Sequence, residues 1–354
     1  MTFIIAEAGV NHNGNPNMAF QLIDSAIEAG ADAIKFQTFK PEKLVTKNAS
    51  KADYQLKNSA GIESQYSMLK QLELSHETFS ELAKYCENNG IRFLSTAFDY
   101  ESLLFLSNDL CLKTLKISSG EISNAPLLLE HSKMGCDLIL STGMATLDEV
   151  KDALGVIAYG YIDGKDPSIN SFRSAFLSNE GQSILKNKVT LLHCTTEYPA
   201  PLEDINLLAM QTMKEEFNLN VGYSDHSKGI NVSIAATALG ATVIEKHFTL
   251  DKTLPGPDHN ASLDPEELKL MVNSIRDVEK AIGDGVKRPQ PSELANRNIV
   301  RRSLVAAKRI TTGEKFTSEN VSIKRPGTGI SPIKYWDLIG QISDKNYDED
   351  DLLC

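Results

Sequence analysis

A (β/α)8 barrel followed by a small C-terminal domain is the architecture this sequence predicts. Three observations carry it. Eight short apolar strand candidates fall at 3–8, 33–37, 92–96, 114–117, 138–141, 189–193, 220–223 and 243–246. Helical periodicity lies between most of them, as in MAFQLIDSAIEAG and HETFSELAKYCENNG, and eight such alternations over about 250 residues is barrel arithmetic. The alternation then stops near Gly283. A doubly wound open sheet is the competing arrangement, but no GxGxxG follows the first strand.

The elements follow one another in a regular way. A helical stretch ends near Gly or Asn, and a short strand begins, as in EAGADAIKFQ, ENNGIRFLST, KMGCDLILST and ALGATVIEKH. Gly30, Gly90, Gly135 and Gly240 suit the left-handed position that closes a helix. The intervals 39–75 and 145–188 are long and both follow a strand, so their extra residues are expected near the top of the barrel. The barrel is assigned to residues 1–283. Residues 284–297, rich in Gly, Pro and polar side chains, read as a linker. Residues 298–354 read as a small domain of short strands and turns.

Composition narrows the function. The chain has 354 residues, 41% hydrophobic and 23% charged, enough to bury a large core without staples. A net charge of −11 argues against broad binding to nucleic acid or an anionic membrane, although a local basic pocket can still take an anion. The longest uncharged stretch, 229–244, is 16 residues and contains Asn231, Ser233 and Thr237, too short and too polar to span a bilayer. MTFIIAEAGV lacks a basic leader and reads as a first strand. The five cysteines are odd in number and form no CxxC. Reduced thiols in a cytoplasmic protein are expected.

Function in a barrel gathers at the C-terminal ends of strands, and this sequence places polar residues there repeatedly. Glu7 sits in an apolar strand, where an unpaired carboxylate is costly; a structural ion pair is the plain alternative. In AIKFQ, alternation puts Lys35 and Gln37 on one face. A lysine pointing into a barrel needs an anion, either a ligand or an internal carboxylate such as Glu7. LKISSGE adds Lys116, Ser119 and Glu121, and other strand ends supply Ser95, Thr96, Ser141 and Thr142. Two lysines with hydroxyls from several strand ends make a cradle for phosphate or carboxylate. His12, in NHNG, either touches ligand or simply makes a turn.

His226 and His247 lie 21 residues apart, each at a strand end, in YSDH and EKHF. Neighbouring barrel strands would bring them together, and two neutral imidazoles flanked by Asp225 and Glu245 suit a borderline divalent metal. Two protein ligands leave room for water and substrate, as a Lewis-acid site requires. Glu245 shares a face with His247 and could orient a water there. Asp258 in GPDH and Tyr198 in HCTTEYPAP read as loop residues, solvated or packed. Arg325 in KRPGTGISP reads as an exposed arginine.

With these residues in place, the chain resembles the sialic acid synthase family. AEAGVNHNG, KFQTFK, LKISSGEISN, STGMAT, HCTTEYPAP, GYSDHSKG, EKHFTLDK and GPDH occur in that family's order, and the tail resembles its antifreeze-like (SAF) domain. The resemblance implies a homodimer in which the small domain of one subunit covers the barrel of the other. It implies condensation of phosphoenolpyruvate with an N-acylated amino-aldose, giving a nine-carbon 2-keto-3-deoxy sugar acid and phosphate. By resemblance, His226 and His247 hold Mn²⁺ or a similar divalent ion. Lys35, Thr96, Lys116, Ser119, Ser141 and Ser224 match positions that hold phosphoenolpyruvate. Glu7, Tyr198 and Asp258 match positions near the sugar and the reacting centre, and Glu7 and Glu245 are the candidates to move or orient protons. Gln37 and Glu121 are added to the substrate-binding set. Arg325 matches an arginine that reaches the N-acyl group in the partner's site, which overturns its plain reading. The loop from Cys194 to Tyr198 varies within the family, some members carrying Asn near Thr196. Together with AEAGVNHNG, it is closer to the legionaminate-type enzymes. Two other classes compete: a Schiff-base aldolase using Lys35 or Lys116, and a barrel that binds sugar without catalysis.

Overall fold

Eight parallel strands close on one another in the computed structural model, which describes residues 1–51 and 64–354. They are β1 (Phe3–Gly9), β2 (Ala33–Thr38), β3 (Arg92–Ala97), β4 (Thr114–Ile117), β5 (Asp137–Ser141), β6 (Val189–Cys194), β7 (Asn220–Asp225) and β8 (Val243–His247). Spatial order follows chain order, and β1 pairs with both β2 and β8. That closure excludes the open doubly wound sheet. The strands end within two residues of their expected bounds, and the additions fall mostly at the C-terminal ends, where polar residues blur the hydropathy pattern.

The interior is built in layers by alternation along each strand. Ile5, Ala33, Leu94, Ile139, Leu192 and Val243 pack together as an apolar floor. Two residues further along β1, β2 and β8 stand Glu7, Lys35 and Glu245, all buried. The intervening residues, such as Ile4, Ala6, Ile34 and Phe36, point outward into the main core against the helices. Adjacent strands thus present one apolar and one polar tier to the same axis.

Local signals set the helices. Asn15 caps Pro16–Ala29 by accepting from the Asn17 N–H, and Gly30 closes it at φ +78°. Gly90, Gly135 and Gly240 also adopt left-handed φ, between +71° and +94°. The interval 39–75 holds the helices Pro41–Leu44 and Gln65–Leu72, with 52–63 outside the described residues. The interval 145–188 departs from expectation. Its extra helices, Ile169–Leu177 and Asn179–Lys188, pack along Leu147–Tyr161, where Phe172 lies edge-on to Tyr159 at 5.1 Å. They thicken the outer wall and do not build the top face, because Gly155 lets the Phe172 backbone approach.

The chain divides into two units, Met1–Gly283 and Asp284–Cys354. Within the second, a helix, Pro291–Val300, begins in the stretch read as a linker and crosses the expected boundary at residue 298. Pro291 at its first turn and the reciprocal Gln290–Glu293 cap are ordinary helix-start signals, masked by the Gly/Pro-rich composition before them. The rest is short-stranded as expected. β9 (Ser303–Ala306) pairs antiparallel with β10 (Val321–Lys324) over a core of Leu304, Ile310, Phe316, Tyr347 and Leu353. Among the described residues no helix is long and apolar enough to cross a membrane. All five cysteines are free thiols.

Candidate active site

One pocket at the C-terminal ends of the strands gathers most of the residues singled out above. Glu7 comes from β1, Lys35 and Gln37 from β2, and Thr96 from β3. Lys116 and Ser119 come from β4 and the turn after it, and Ser141 from β5. Ser224, His226, Glu245 and His247 come from β7, β8 and the turn after β7, and Tyr198 from the loop after β6. The strands order these groups because most of them lie two positions beyond an apolar floor residue or at a strand end.

The floor of the pocket is a four-charge cluster. Lys35 Nζ lies 2.7 Å from Glu7 Oε2 and 3.7 Å from Glu245 Oε2. Lys116 Nζ lies 3.7 Å from Glu245 Oε1 and donates to Ser141 Oγ at 2.7 Å. Lys35 also donates to Thr96 Oγ1 at 3.1 Å. Unequal lysine support splits the two carboxyls. Burial pushes Glu7 above its ordinary value despite Lys35. Burial would push Glu245 up too, but Lys116 and Lys35, with the Ser224 hydroxyl, hold it below the usual carboxylate range. Burial disfavours the charge on Lys35, yet Glu245 and Glu7 outweigh it and raise the group; Lys116, with weaker support, is lowered by burial. Whenever Glu7 is protonated and Glu245 ionised, two lysines face one carboxylate, a positive excess that an anion can satisfy.

The imidazoles lie beside it, His226 and His247 with ring centroids 5.7 Å apart. His226 Nδ1–H donates to the Thr195 carbonyl at 2.6 Å, which leaves the Nε2 lone pair facing the Tyr198 and Ser224 hydroxyls at 3.2 and 3.3 Å. Tyr198 stacks on His226 at 4.2 Å and meets His247 edge-on at 5.6 Å. Burial pulls His226 down to about 4. His247 falls well below its ordinary value through burial, then the charges of His226 and Lys35. His247 Nδ1 is buried without a hydrogen bond, and Asp258 Oδ2 stands 3.9 Å away. Burial lifts Asp258 to about 6. Two neutral imidazoles, one with its tautomer set by a backbone carbonyl, are a donor set that suits a borderline divalent cation. Among the described residues, no group of three or more His, Cys, Asp or Glu side chains could hold a metal, so a cation here would take its other ligands from water and substrate.

Asp258 does not line the pocket itself but stands beside His247, and two further residues of the expected set lie elsewhere. Glu121 is carried outward by the turn Ser119–Glu121, and its Oε2 accepts from Asn124 Nδ2 at 2.7 Å beside the next helix. Arg325 is exposed on the turn after β10, in the second unit. His12 is fully buried and tilted against Phe36 at 6.1 Å, and its Nδ1 accepts from the Gly14 N–H, so it makes a turn. Phe98, Ser118 and Cys194 also line the pocket; Cys194 stands opposite Ser224 in register. Its place at a strand end is the signal the sequence offers for it; by residue type alone an isolated cysteine reads as core.

The barrel fold and this strand-end pocket define a member of a known enzyme family. The NeuB family model matches residues 22–287 and the SAF domain model residues 301–353, and the chain belongs to the NeuB family. It is 50% identical over 352 residues to the N,N'-diacetyllegionaminic acid synthase of Campylobacter jejuni, covering 99% of this chain and 98% of that one. It is 47% identical to the N,N'-diacetyllegionaminic acid synthase of Legionella pneumophila, covering 96% of this chain and 89% of that one. Among solved structures, the N-acetylneuraminic acid synthetase of Leptospira borgpetersenii, in complex with citrate, is similar at TM-score 0.68 and 34% identity, covering 83% of this chain and 90% of that one.

Proposed function

We propose that this enzyme condenses phosphoenolpyruvate with an N-acylated amino-aldose, of the 2,4-diacetamido-2,4,6-trideoxymannose type, to give a nine-carbon 2-keto-3-deoxy sugar acid of the N,N'-diacetyllegionaminate type. C3 of phosphoenolpyruvate forms the new bond to the aldehyde carbon, water adds at C2, and the C2–O bond breaks to release phosphate. The carrying observation is the single pocket that joins two lysines and a ring of hydroxyls to a pair of neutral imidazoles. N-acetylmannosamine is the competing acceptor. The diacetamido sugar is favoured because relatives at 50% and 47% identity are N,N'-diacetyllegionaminic acid synthases, while the human N-acetylneuraminate-9-phosphate synthase stands at 34%.

In this reading Lys35 and Lys116, with Thr96, Ser119, Ser141 and Ser224, bind the phosphate and carboxylate, and Gln37 flanks them. The positive excess of the cluster favours charge developing on the leaving phosphate. Glu7, biased toward its neutral form, holds a proton; Glu245, held ionised between both lysines, orients the water. Tyr198 and Asp258 face the sugar. His226 and His247 would hold a divalent cation, Mn²⁺ in this proposal, which when bound supplies Lewis-acid polarisation of the aldehyde. The reading extends to a cytoplasmic homodimer in which the small domain covers the partner's barrel and Arg325 reaches the N-acyl group. Exposed apolar side chains are consistent with a covered face: Trp336 and Ile333 in one unit, Met144, Leu202 and Leu208 in the other.

The test is phosphate release from phosphoenolpyruvate with Mn²⁺, with both sugars side by side and the product weighed by mass spectrometry. Release with the diacetamido sugar, lost on chelation, is expected. Full turnover in a metal-free preparation would overturn the metal assignment; release only with N-acetylmannosamine would overturn the acceptor. The lowered Lys116 gives the Schiff-base aldolase its one supporting observation. Borohydride with pyruvate is expected to leave the protein's mass unchanged, and a trapped adduct would favour the aldolase.

A further inference from the structure

Behind the two histidines, on the outer face of the barrel, lies a second ion pair that the proposed chemistry does not use. Asp225 and Lys246 stand opposite each other in the β7–β8 register, and Ser224 stands opposite Glu245 one residue earlier. Alternation sends Ser224 and Glu245 inward, where the Ser224 hydroxyl donates to Glu245 Oε1 at 2.8 Å. It sends Asp225 and Lys246 outward, with Lys246 Nζ 3.1 Å from Asp225 Oδ2 and both side chains fully buried. His226 follows Asp225 directly, and His247 follows Lys246.

The pair is also tied into the turn that carries His226. Asp225 Oδ1 accepts from the Ser227 N–H at 2.8 Å and the Ser227 hydroxyl at 2.7 Å, and Oδ2 accepts from the Ser233 hydroxyl at 2.6 Å. Lys246 Nζ donates to the Ser227 carbonyl. The residues on both sides of His226 are therefore held by the residue just before His247. Stability alone does not require a charged pair here, since well-packed apolar residues often replace a buried ion pair at no loss. The neighbouring outward positions Tyr223, Ile244 and Phe248 are indeed apolar and buried.

We infer that Asp225 and Lys246 are positioning residues that set the spacing and orientation of the His226 and His247 imidazoles. The inference rests on the reading of those histidines as cation ligands. It concerns cation affinity and not substrate binding, because neither residue reaches the pocket.

The experiment is calorimetric titration of Mn²⁺ alone into metal-stripped full-length protein, with folding followed by circular dichroism and phosphoenolpyruvate binding measured without metal. The double variant Asp225→Leu/Lys246→Met is expected to fold, keep phosphoenolpyruvate affinity, and lose Mn²⁺ affinity by about 10- to 100-fold, the usual effect of removing an outer support of a metal ligand. Ser233→Ala, which keeps both charges, is expected to show a smaller loss in the same direction. Wild-type Mn²⁺ affinity in a folded double variant overturns the inference, and if that variant does not fold, wild-type affinity in Ser233→Ala does so. Wild-type protein that fails to bind Mn²⁺ overturns the cation reading itself, an outcome separable from the first.

Discussion

Glu7 and Glu245 show how identical chemistry is divided by surroundings. Both are buried within reach of Lys35, but only Glu245 has a second lysine and a hydroxyl donor. One is driven toward the neutral acid and the other held as the anion. Glu245→Gln is expected to lower kcat by about 10²- to 10⁴-fold, the span of a lost proton-handling group, with the protein still folded. Steady-state kinetics with circular dichroism checks this, and wild-type turnover would remove Glu245 from the mechanism. His226→Ala and His247→Ala are expected to lose turnover that excess Mn²⁺ does not fully restore. Full rescue would show that neither imidazole is needed to hold the cation.

The β7 and β8 strands are the element on which the site depends most. Their seam carries Ser224, His226, Glu245 and His247 on or beyond one face and the Asp225–Lys246 pair on the other. The strands approach closely at Gly222, where a Cβ would collide with the Val243 carbonyl and press on Leu192. Gly222→Ala is therefore expected to destabilise the protein by about 1–3 kcal/mol, the usual cost of overpacking. Urea denaturation checks it; unchanged stability would mean that the seam opens freely at this point. The loop after β1 is tied to the loop after β8 in a similar way. His259 Nδ1 meets Thr249 Oγ1 at 2.6 Å and its Nε2 meets Asn13 Oδ1 at 3.1 Å. That junction fixes the turn bearing Asp258 beside His247.

The whole molecule joins a barrel with its own core to a small unit with another. If Arg325 completes the sugar site of a partner subunit, Arg325→Ala should lower kcat/KM for the sugar at least tenfold, on the scale of a lost charge-assisted hydrogen bond. Phosphoenolpyruvate affinity should not change. A chain ending at Gly283 is expected to fold but lose turnover. Wild-type kinetics in either case would confine catalysis to the barrel.

Hydropathy, glycine placement and alternation were enough to read the eight strands, their order and the polar residues at their ends. The physical reason is that period-two patterning in a strand reports which side chains share a face without knowledge of neighbours. The helix Pro291–Val300 and the wall-hugging helices of 145–188 were not legible, because composition masks a short capped helix and packing partners decide where an insertion lies. The chemical division within the site was equally out of reach. Glu121 and Glu7 are the same residue type near strand ends, yet one accepts from the Asn124 side chain and the other faces Lys35. Closure of β1 onto β8 is what brings Glu7, Glu245 and the two lysines within ion-pair range. Residue type and spacing follow from the chain alone. Proximity across some 240 residues, and the burial that shifts each proton, exist only once the barrel is closed.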